Sequence, residues 1–186
     1  MKVRIGSKPK SIGHAVELGF GRAEVLRKEV KKGELIWEGV ERPELKRTRK
    51  QSVPNAMLKY WGFTTWLKTA KKNTYKRIVA NYFFNIFLAR TTHKERVKLM
   101  NGVLEKLVPG GELRIAVPVR KNELLDCSND YFSILKEAGF VNFVGRESTS
   151  KEIDSIRARN IEQNPRIITL IITVNKPKEK QKVISL

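Results

Sequence analysis

The sequence predicts a single α/β domain with a mostly parallel sheet and helices on both faces. Its 186 residues fit one domain, and an apolar fraction of 40% supplies enough side chains for a core. The apolar pattern changes repeatedly between short β-type runs and longer helical spacing. Alternation of this kind is typical of a parallel sheet covered by helices. We expect residues 1–176 to form this domain and residues 177–186 to form a charged tail.

The first half of the chain contains four predicted strands. Apolar residues recur at helical spacing from Arg22 to Lys32, and Gly33 stops the pattern. Pro43 suits the first turn of a second helix. The predicted strands are 11–18, 34–40, 56–63 and 75–86, and the predicted helices are 22–32, 43–51 and 64–72.

The second half begins with the clearest helix, 92–107. Thr92 can cap this helix, and Glu95 at the third helical position completes a capping box. A Pro-Gly-Gly turn ends it. The pattern then predicts strands at 112–117, 140–144 and 166–174, a helix at 131–138, and a polar stretch at 146–164 between the last two strands.

The chain is strongly basic, with 38 Lys and Arg against 19 Asp and Glu and a formal net charge of +19. From Lys46 to Lys98, 14 basic residues accompany a single acid, Glu95. Such a segment attracts polyanions through counterion release and long-range steering. Two interpretations stand side by side, a lysine-rich surface that maintains solubility and a contact with nucleic acid or the ribosome. An anionic small substrate or a membrane surface is a lesser alternative.

Other features exclude or disfavour several classes of protein. No run of about 18 apolar residues could span a membrane, and the basic N-terminus lacks the apolar centre of a secretion signal. The single cysteine, Cys127, cannot form an internal disulfide, so a reducing, cytoplasmic compartment is expected. Cys127, His14 and His93 lack the spacing of metal ligands, and we predict no metal site.

A glycine turn joins the first strand to the first helix, in the sequence AVELGFGRAEV from Ala15 to Val25. Gly19 and Gly21 can adopt positive φ and let a ligand approach the backbone. The helix that follows directs its N–H groups and positive end to the same place, which is where open α/β sheets bind ligands. A purely structural turn would look the same, because glycine turns join many strands to helices.

This stretch resembles motif I of the class I S-adenosylmethionine (SAM)-dependent methyltransferases, E-x-G-x-G-x-G. Glu17, Gly19 and Gly21 match, and Ala23 stands in place of the third glycine. The resemblance implies a Rossmann-like, seven-stranded sheet with an antiparallel last strand, and it implies SAM as the cofactor. The implied cofactor-binding residues are Glu17, Leu18, Gly19, Phe20, Gly21, Glu41, Arg42 and Asn81.

The acid at the end of the second strand is the next feature of the resemblance. In the family an acid at this place holds the ribose hydroxyls, which need a carboxylate acceptor. Glu41 is the best match and Glu38 is the alternative. A solvated loop acid would look the same.

The resemblance covers nearly the whole chain, and the order of its motifs is more specific than any one of them. The runs 104–118 and 134–145 are similar to the helix–turn–strand units of the family, and 166–174 is similar to its antiparallel seventh strand. The chain departs from the family at Lys76, where an acid is common. It departs again after the third strand, since no Asp or Glu lies between Glu44 and Glu95.

Methyl transfer from a sulfonium requires alignment of the nucleophile more than an acid–base pair. The resemblance places Asn81 and Tyr82 at the reacting centre, and we predict both as catalytic residues. Tyr82 and Phe83 are predicted to stack on a flat acceptor, or else to form core or pocket wall. Trp66 and Lys68, where aromatic residues interleave with lysines, are predicted to contact substrate. The same segment would also suit a half-buried roof over the cofactor.

The sequence therefore predicts a SAM-dependent methyltransferase of unknown acceptor, with RNA or another polyanion favoured through residues 46–98. One rival is a catalytically degenerate methyltransferase-like protein that binds nucleic acid or acts as a scaffold. The other is a small-molecule methyltransferase whose charge is incidental.

Overall fold

Seven strands and four helices make up the described part of the computed structural model, which comprises residues 13–20, 24–44, 52–84, 91–148 and 166–178. The strands are β1 (Gly13–Leu18), β2 (Leu35–Val40), β3 (Ala56–Lys59), β4 (Tyr75–Asn81), β5 (Leu107–Arg120), β6 (Val141–Glu147) and β7 (Ile167–Asn175). The helices are α1 (Glu24–Lys31), α2 (Phe63–Thr69), α3 (His93–Lys106) and α4 (Leu124–Glu137).

The strands form one sheet in the order β3-β2-β1-β4-β5-β7-β6. β1 pairs in parallel with β2 and β4, and the pairs β2–β3 and β4–β5 are also parallel. β7 runs antiparallel between β5 and β6. The predicted mostly parallel, seven-stranded sheet with an antiparallel last strand is therefore confirmed.

Helices cover both faces of this sheet, because successive strand residues point to opposite sides. On one face, Val16 and Ile78 belong to the main core together with residues of α2, α3 and α4. On the other face, Ala15 and Val79 belong to a smaller core with Leu26 of α1. The predicted capping box is also present. The Thr92 hydroxyl accepts from the backbone N–H of Glu95, and the Glu95 carboxylate accepts from the backbone N–H of Thr92.

Two predicted strands are shorter in the structure. The pattern predicts a strand at 56–63, but β3 ends at Lys59 because Gly62 adopts a φ of 75° and Phe63 begins α2. The strand predicted at 75–86 ends at Asn81, because Tyr82 has a φ of 54° and leaves the sheet. A single residue in the left-handed region is enough to end each strand, and apolar periodicity does not reveal it.

Two other elements are longer than predicted. β5 extends to Arg120 because β7, distant in sequence, pairs with it along its whole second half. α4 begins at Leu124 after a short 3-10 turn and has no side-chain cap, so a search for caps misses its start. Several predicted features lie outside the described residues in part or whole, namely 11–12, 21–23, 45–51, 85–86, 149–164 and 179–186. The boundary at 176/177 stays a prediction.

Candidate functional site

The predicted site residues lie at the edge of the sheet where the parallel strands end, here called the carboxyl edge. The register places Leu18, the last residue of β1, beside Val40 of β2 and Ala80 of β4. The strand order reverses between β1 and β4, since the chain continues from β1 to β2 on one side and from β4 to β5 on the other. The crevice at such a switch point is where open α/β sheets bind ligands.

Gly19 forms the turn after β1 with a φ of 70°, in the left-handed region. Its backbone N–H donates to the Val40 carbonyl at 2.7 Å, which holds the turn against the end of β2. A Cβ at Gly19 would lie 2.8 Å from Cδ2 of Phe83. Glycine is therefore required here both by the backbone and by the close approach of a side chain. Gly21, the second glycine of the motif, lies outside the described residues.

Glu17, two residues earlier, is a buried carboxylic acid. It is 2% exposed, its Oε1 accepts from Nδ2 of Asn81 at 3.3 Å, and its Oε2 has no hydrogen-bond partner. Burial raises the pKa of Glu17 to about 8, and the charges of Glu41 and Glu29 add to the increase. The Asn81 amide and the backbone N–H of Leu26 oppose it. The orphaned oxygen is one that a cationic group of a ligand would satisfy.

Glu41 follows β2 and is the second buried acid of the carboxyl edge, at 5% exposed. Its backbone N–H donates to the Lys59 carbonyl and its carbonyl accepts from Gly62, each at 3.0 Å. Its Oε1 accepts from the backbone N–H of Arg42 at 3.0 Å. The alternative acid, Glu38, lies within β2. Its Oε2 accepts hydrogen bonds from Lys59 Nζ at 2.9 Å and from the Tyr75 hydroxyl at 3.0 Å. Of the two acids, Glu41 is the one that directly follows β2 at the carboxyl edge, and its contact with a ligand stays a prediction.

Leu18 and Phe20, both predicted to bind the cofactor, have buried side chains. Leu18 is fully buried in the main core, so only its backbone is available to a ligand. Phe20 is 4% exposed and lies edge-to-face with Tyr60, with 5.6 Å between ring centroids. Their contribution is to position the glycine turn between them.

The end of β4 differs from the prediction at Tyr82. Its ring is 6% exposed, its backbone N–H donates to the Ala116 carbonyl, and its hydroxyl forms a short hydrogen bond with the Thr169 hydroxyl of β7. The prediction that Tyr82 stacks on substrate or acts in catalysis is wrong for this geometry, because the hydroxyl and ring are both committed to the interior. Sequence reasoning missed Thr169, and no local signal identifies it, since the contact depends on where β7 inserts. Phe83 is half-buried and packs against Gly19.

The fold can be compared with proteins of known structure. No protein family model and no curated protein matches the sequence, but 833 chains of solved structure match the fold. A variant of the 16S rRNA (adenine(1408)-N(1))-methyltransferase from Catenulisporales acidiphilia, with cosubstrate SAM, has a TM-score of 0.62 and 13% identity over 92% of this chain and 88% of its own. Phosphoethanolamine N-methyltransferase 2 from Haemonchus contortus, with phosphomonomethylethanolamine and S-adenosylhomocysteine, has a TM-score of 0.61 and 14% identity. That match covers 91% of this chain and 50% of the other.

A third structure, a SAM-dependent methyltransferase from Methanosarcina mazei, has a TM-score of 0.59 and 13% identity, over 90% of this chain and 94% of its own. The chain has the Rossmann-like fold of the class I methyltransferases. The methyltransferase fold by itself leaves the acceptor open, because these proteins are named for acceptors as different as ribosomal RNA and phosphoethanolamine.

Within this methyltransferase fold, the aromatic and basic segment that follows β3, from Tyr60 to Lys72, has some side chains in the core and others at the surface. Trp66 is fully buried, stacks on Phe63, and its Nε1 lies 3.4 Å from the Tyr75 hydroxyl. The prediction that Trp66 contacts substrate is therefore wrong, because helix α2 turns that ring into the core. Lys68, two residues on, is exposed, and its contact with substrate stays a prediction. Trp61 is 46% exposed, and the Lys59 ammonium lies 4.7 Å from its ring centroid.

Metal and membrane features can be stated for the described ranges. Across them, no three His, Cys, Asp or Glu side chains gather closely enough to hold a metal ion. Among the helices of these ranges, none combines the length and the apolar character needed to cross a bilayer.

Proposed function

We propose that the chain is a SAM-dependent methyltransferase that binds its cofactor at the carboxyl edge. The observation that carries this proposal is that three of the predicted cofactor-binding residues lie together at the carboxyl edge of the sheet. They are Gly19 in its left-handed turn held on β2, the buried acid Glu17 with an orphaned oxygen, and the buried acid Glu41.

Each of these residues has a part of the cofactor that suits it. The Glu41 carboxylate would accept hydrogen bonds from the ribose hydroxyls. The free oxygen of Glu17 would accept from the ammonium of the methionine portion, and the backbone at Gly19 allows close approach. When bound, the cofactor supplies a methyl group activated by its positive sulfur.

The electrostatics of the crevice support a cationic ligand. Burial is the main cause of the raised pKa of Glu17, and the negative charge of Glu41 adds to it. A ligand that carries positive charge relieves that repulsion and favours the ionised form of Glu17. An anionic ligand at the same place would meet repulsion from Glu41, so nucleotide phosphates fit this crevice poorly.

The acceptor we favour is RNA or another polyanion. The net charge of +19 supports this choice, because basic proteins collect polyanions by counterion release. One structural neighbour is named for a ribosomal RNA adenine. Another is named for a small amine, so a small-molecule acceptor is the alternative within the same proposal.

A second candidate, a methyltransferase-like protein without catalysis, is favoured by the end of β4. The Asn81 amide is bonded to Glu17 and the Tyr82 hydroxyl to Thr169, and residues 81–84 contain no acid, histidine or lysine. Alignment alone would then have to accomplish methyl transfer.

The test is a calorimetric titration of the protein with SAM and with S-adenosylhomocysteine. Glu41→Gln should weaken binding by about tenfold to a hundredfold, because a charge-assisted hydrogen bond contributes about 1.5–3 kcal/mol. Glu44→Gln is the matched control, since Glu44 is exposed three residues later, and its affinity should equal that of the wild type. Absence of binding by folded wild-type protein would overturn the proposal. Equal effects of the two substitutions would remove Glu41 from the site.

A further inference from the structure

The opposite edge of the sheet, where the parallel strands begin, carries a cluster of lysines that the proposed cofactor site does not use. We call it the basic edge and define it by the lysines of three segments: Lys71, Lys72, Lys76, Lys176 and Lys178. The first three precede or begin β4, and the last two follow β7, whose antiparallel direction returns it to this edge.

Hydrogen bonds join these segments into one continuous surface. The backbone N–H groups of Asn73 and Thr74 donate to the carbonyls of Glu105 and Lys106, each at 2.9 Å. At the other side, the segments around Gly110 and Lys176 are joined by a further pair of backbone hydrogen bonds, at 3.0 and 2.9 Å. The segments that carry the lysines are therefore connected by backbone hydrogen bonds and are not independent loops.

The positive charge of this surface is poorly compensated. Lys176 Nζ is held by Oδ1 of Asn73 at 2.7 Å and by the Leu107 carbonyl at 3.0 Å, which are neutral acceptors. Glu105 pairs with Lys72 at 3.3 Å, and both side chains are more than half exposed. In the described part of the chain no ion pair involves the other three lysines of the basic edge.

The stems of two of these exposed lysines lie over glycines. The Lys178 Cγ lies 3.4 Å from the position of a Cβ on Gly110. The Lys76 stem occupies the space that a side chain on Gly13 would need.

The dimensions of the basic edge separate it from the carboxyl edge. The seven residues of β4 place the two edges about 20 Å apart. The lysines precede or begin β4 and follow β7, which are two strand spacings apart in the sheet, so their attachment points span about 10 Å. Charges spread in this way match successive phosphates of a chain, whereas a single phosphate needs donors that converge on one point.

We propose that the basic edge binds the phosphodiester backbone of a nucleic acid at a surface separate from the cofactor crevice. This surface anchors the polyanion without reading its sequence, since lysine–phosphate contacts carry no base information. The inference does not depend on methyl transfer, because the lysines lie at the opposite edge of the sheet from Glu17 and Glu41.

The test measures anisotropy of a labelled single-stranded RNA of about 20 nucleotides, without cofactor, between about 0.05 and 0.2 M salt. The variant is Lys71→Gln/Lys76→Gln/Lys178→Gln. The control, Arg120→Gln/Lys121→Gln/Lys136→Gln, removes the same charge from exposed residues that lie outside both the basic edge and residues 46–98. The basic-edge variant should bind about tenfold or more weakly, with its salt slope lower by about 2, since each lost phosphate contact on a single strand contributes about 0.7. The control variant should stay within about threefold of the wild type.

Three outcomes would overturn the proposal: no RNA binding by the wild type, equal losses in the two variants, or competition by inorganic phosphate at millimolar concentration. A fourth is binding to vesicles of anionic phospholipid that the basic-edge variant loses while its RNA affinity is unchanged, which would assign the surface to a membrane. The SAM titration is independent of these results, so failure of either proposal can be told from failure of the other.

Discussion

At the carboxyl edge of the sheet the notable ionisable groups are acids, and Glu17 and Glu41 are 2% and 5% exposed. At the basic edge they are lysines, and most of them are exposed. Glu17 is the penultimate residue of β1 and Glu41 directly follows β2. The lysines lie before and at the start of β4 and after the end of β7, where water reaches most of their side chains. The two edges thus differ both in sign of charge and in how much water reaches the charge.

This difference decides how each edge responds to substitution. A buried carboxyl group lacks solvation, so its ionisation state depends on a few neighbours and a single change has a large effect. Solvated lysines act through their summed field, which is additive and screened by salt. We therefore expect sharp single-site effects at the carboxyl edge and graded, salt-dependent effects at the basic edge.

The largest expected effect on stability and SAM binding comes from replacing Gly19, in the turn at the carboxyl edge. Gly33 has a similar left-handed φ but lies at the edge where the parallel strands begin, so it serves as the control. Gly19→Arg combines an unfavourable φ with a clash against Phe83, while nothing lies within 4 Å of a Cβ on Gly33. In urea unfolding, Gly19→Arg should cost about 2–5 kcal/mol and Gly33→Arg about 1–2 kcal/mol. Titration with SAM should show binding lost only in the first. Retained binding in Gly19→Arg would remove the turn from the site.

The second effect concerns the pH dependence of stability. Because the folded pKa of Glu17 is about 8 and its unfolded value is about 4.5, the folded state holds a proton that the unfolded state lacks between these pH values. The free energy of unfolding should therefore fall as pH rises through this window, by up to about 1.4 kcal/mol per pH unit.

Glu17→Gln should remove this contribution, since the amide keeps the shape of the neutral acid without titrating. Glu34→Gln, at an exposed position on the side where the strands begin, should leave the slope unchanged. Urea unfolding at a series of pH values measures both. A slope equally steep in Glu17→Gln and in the wild type would contradict the buried, protonated state.

A smaller effect is expected from the bond between the Tyr82 and Thr169 hydroxyls, which ties the end of β4 to β7. Tyr82→Phe and Thr169→Val should each lower the free energy of unfolding by about 1–2 kcal/mol, because each removes the hydrogen bond between two buried hydroxyl groups. The double variant should cost about 1 kcal/mol less than the sum of the two. Strict additivity in this cycle would show that the two groups do not interact.

The smallest effect tests the acid of the basic edge. Glu105→Gln should tighten RNA binding by about 1.5-fold to threefold at low salt, because an exposed ion pair contributes at most about 1 kcal/mol. Glu123→Gln removes an acid of similar exposure that pairs with Arg120 at 3.3 Å near the opposite edge, and it should leave RNA affinity unchanged. Weaker binding by Glu105→Gln would argue against a phosphate contact at this surface.

Much of the carboxyl edge follows from the sequence, because its features are local. Gly19 is recognisable since a turn from strand to helix needs a residue that tolerates positive φ. The capping box at Thr92 lies within four residues and was likewise predictable. The roles assigned to Trp66 and Tyr82 were wrong for a common reason. An aromatic residue near a site is either exposed or buried according to the rotation of its helix or the φ of one residue. The amino-acid type predicts neither the rotation nor the φ angle.

The sequence by itself determined the alternation of strands and helices, the glycine turn and the excess of positive charge, because apolar periodicity, backbone freedom and composition are properties of short segments. Only the tertiary structure decided that Glu17 and Glu41 are buried, that the Tyr82 hydroxyl meets Thr169, and that lysines before β4 and after β7 share one edge. Those facts depend on strands that are distant in sequence becoming neighbours in the sheet. Burial and the summed electrostatic field, which give these groups their chemistry, exist only once that arrangement has formed.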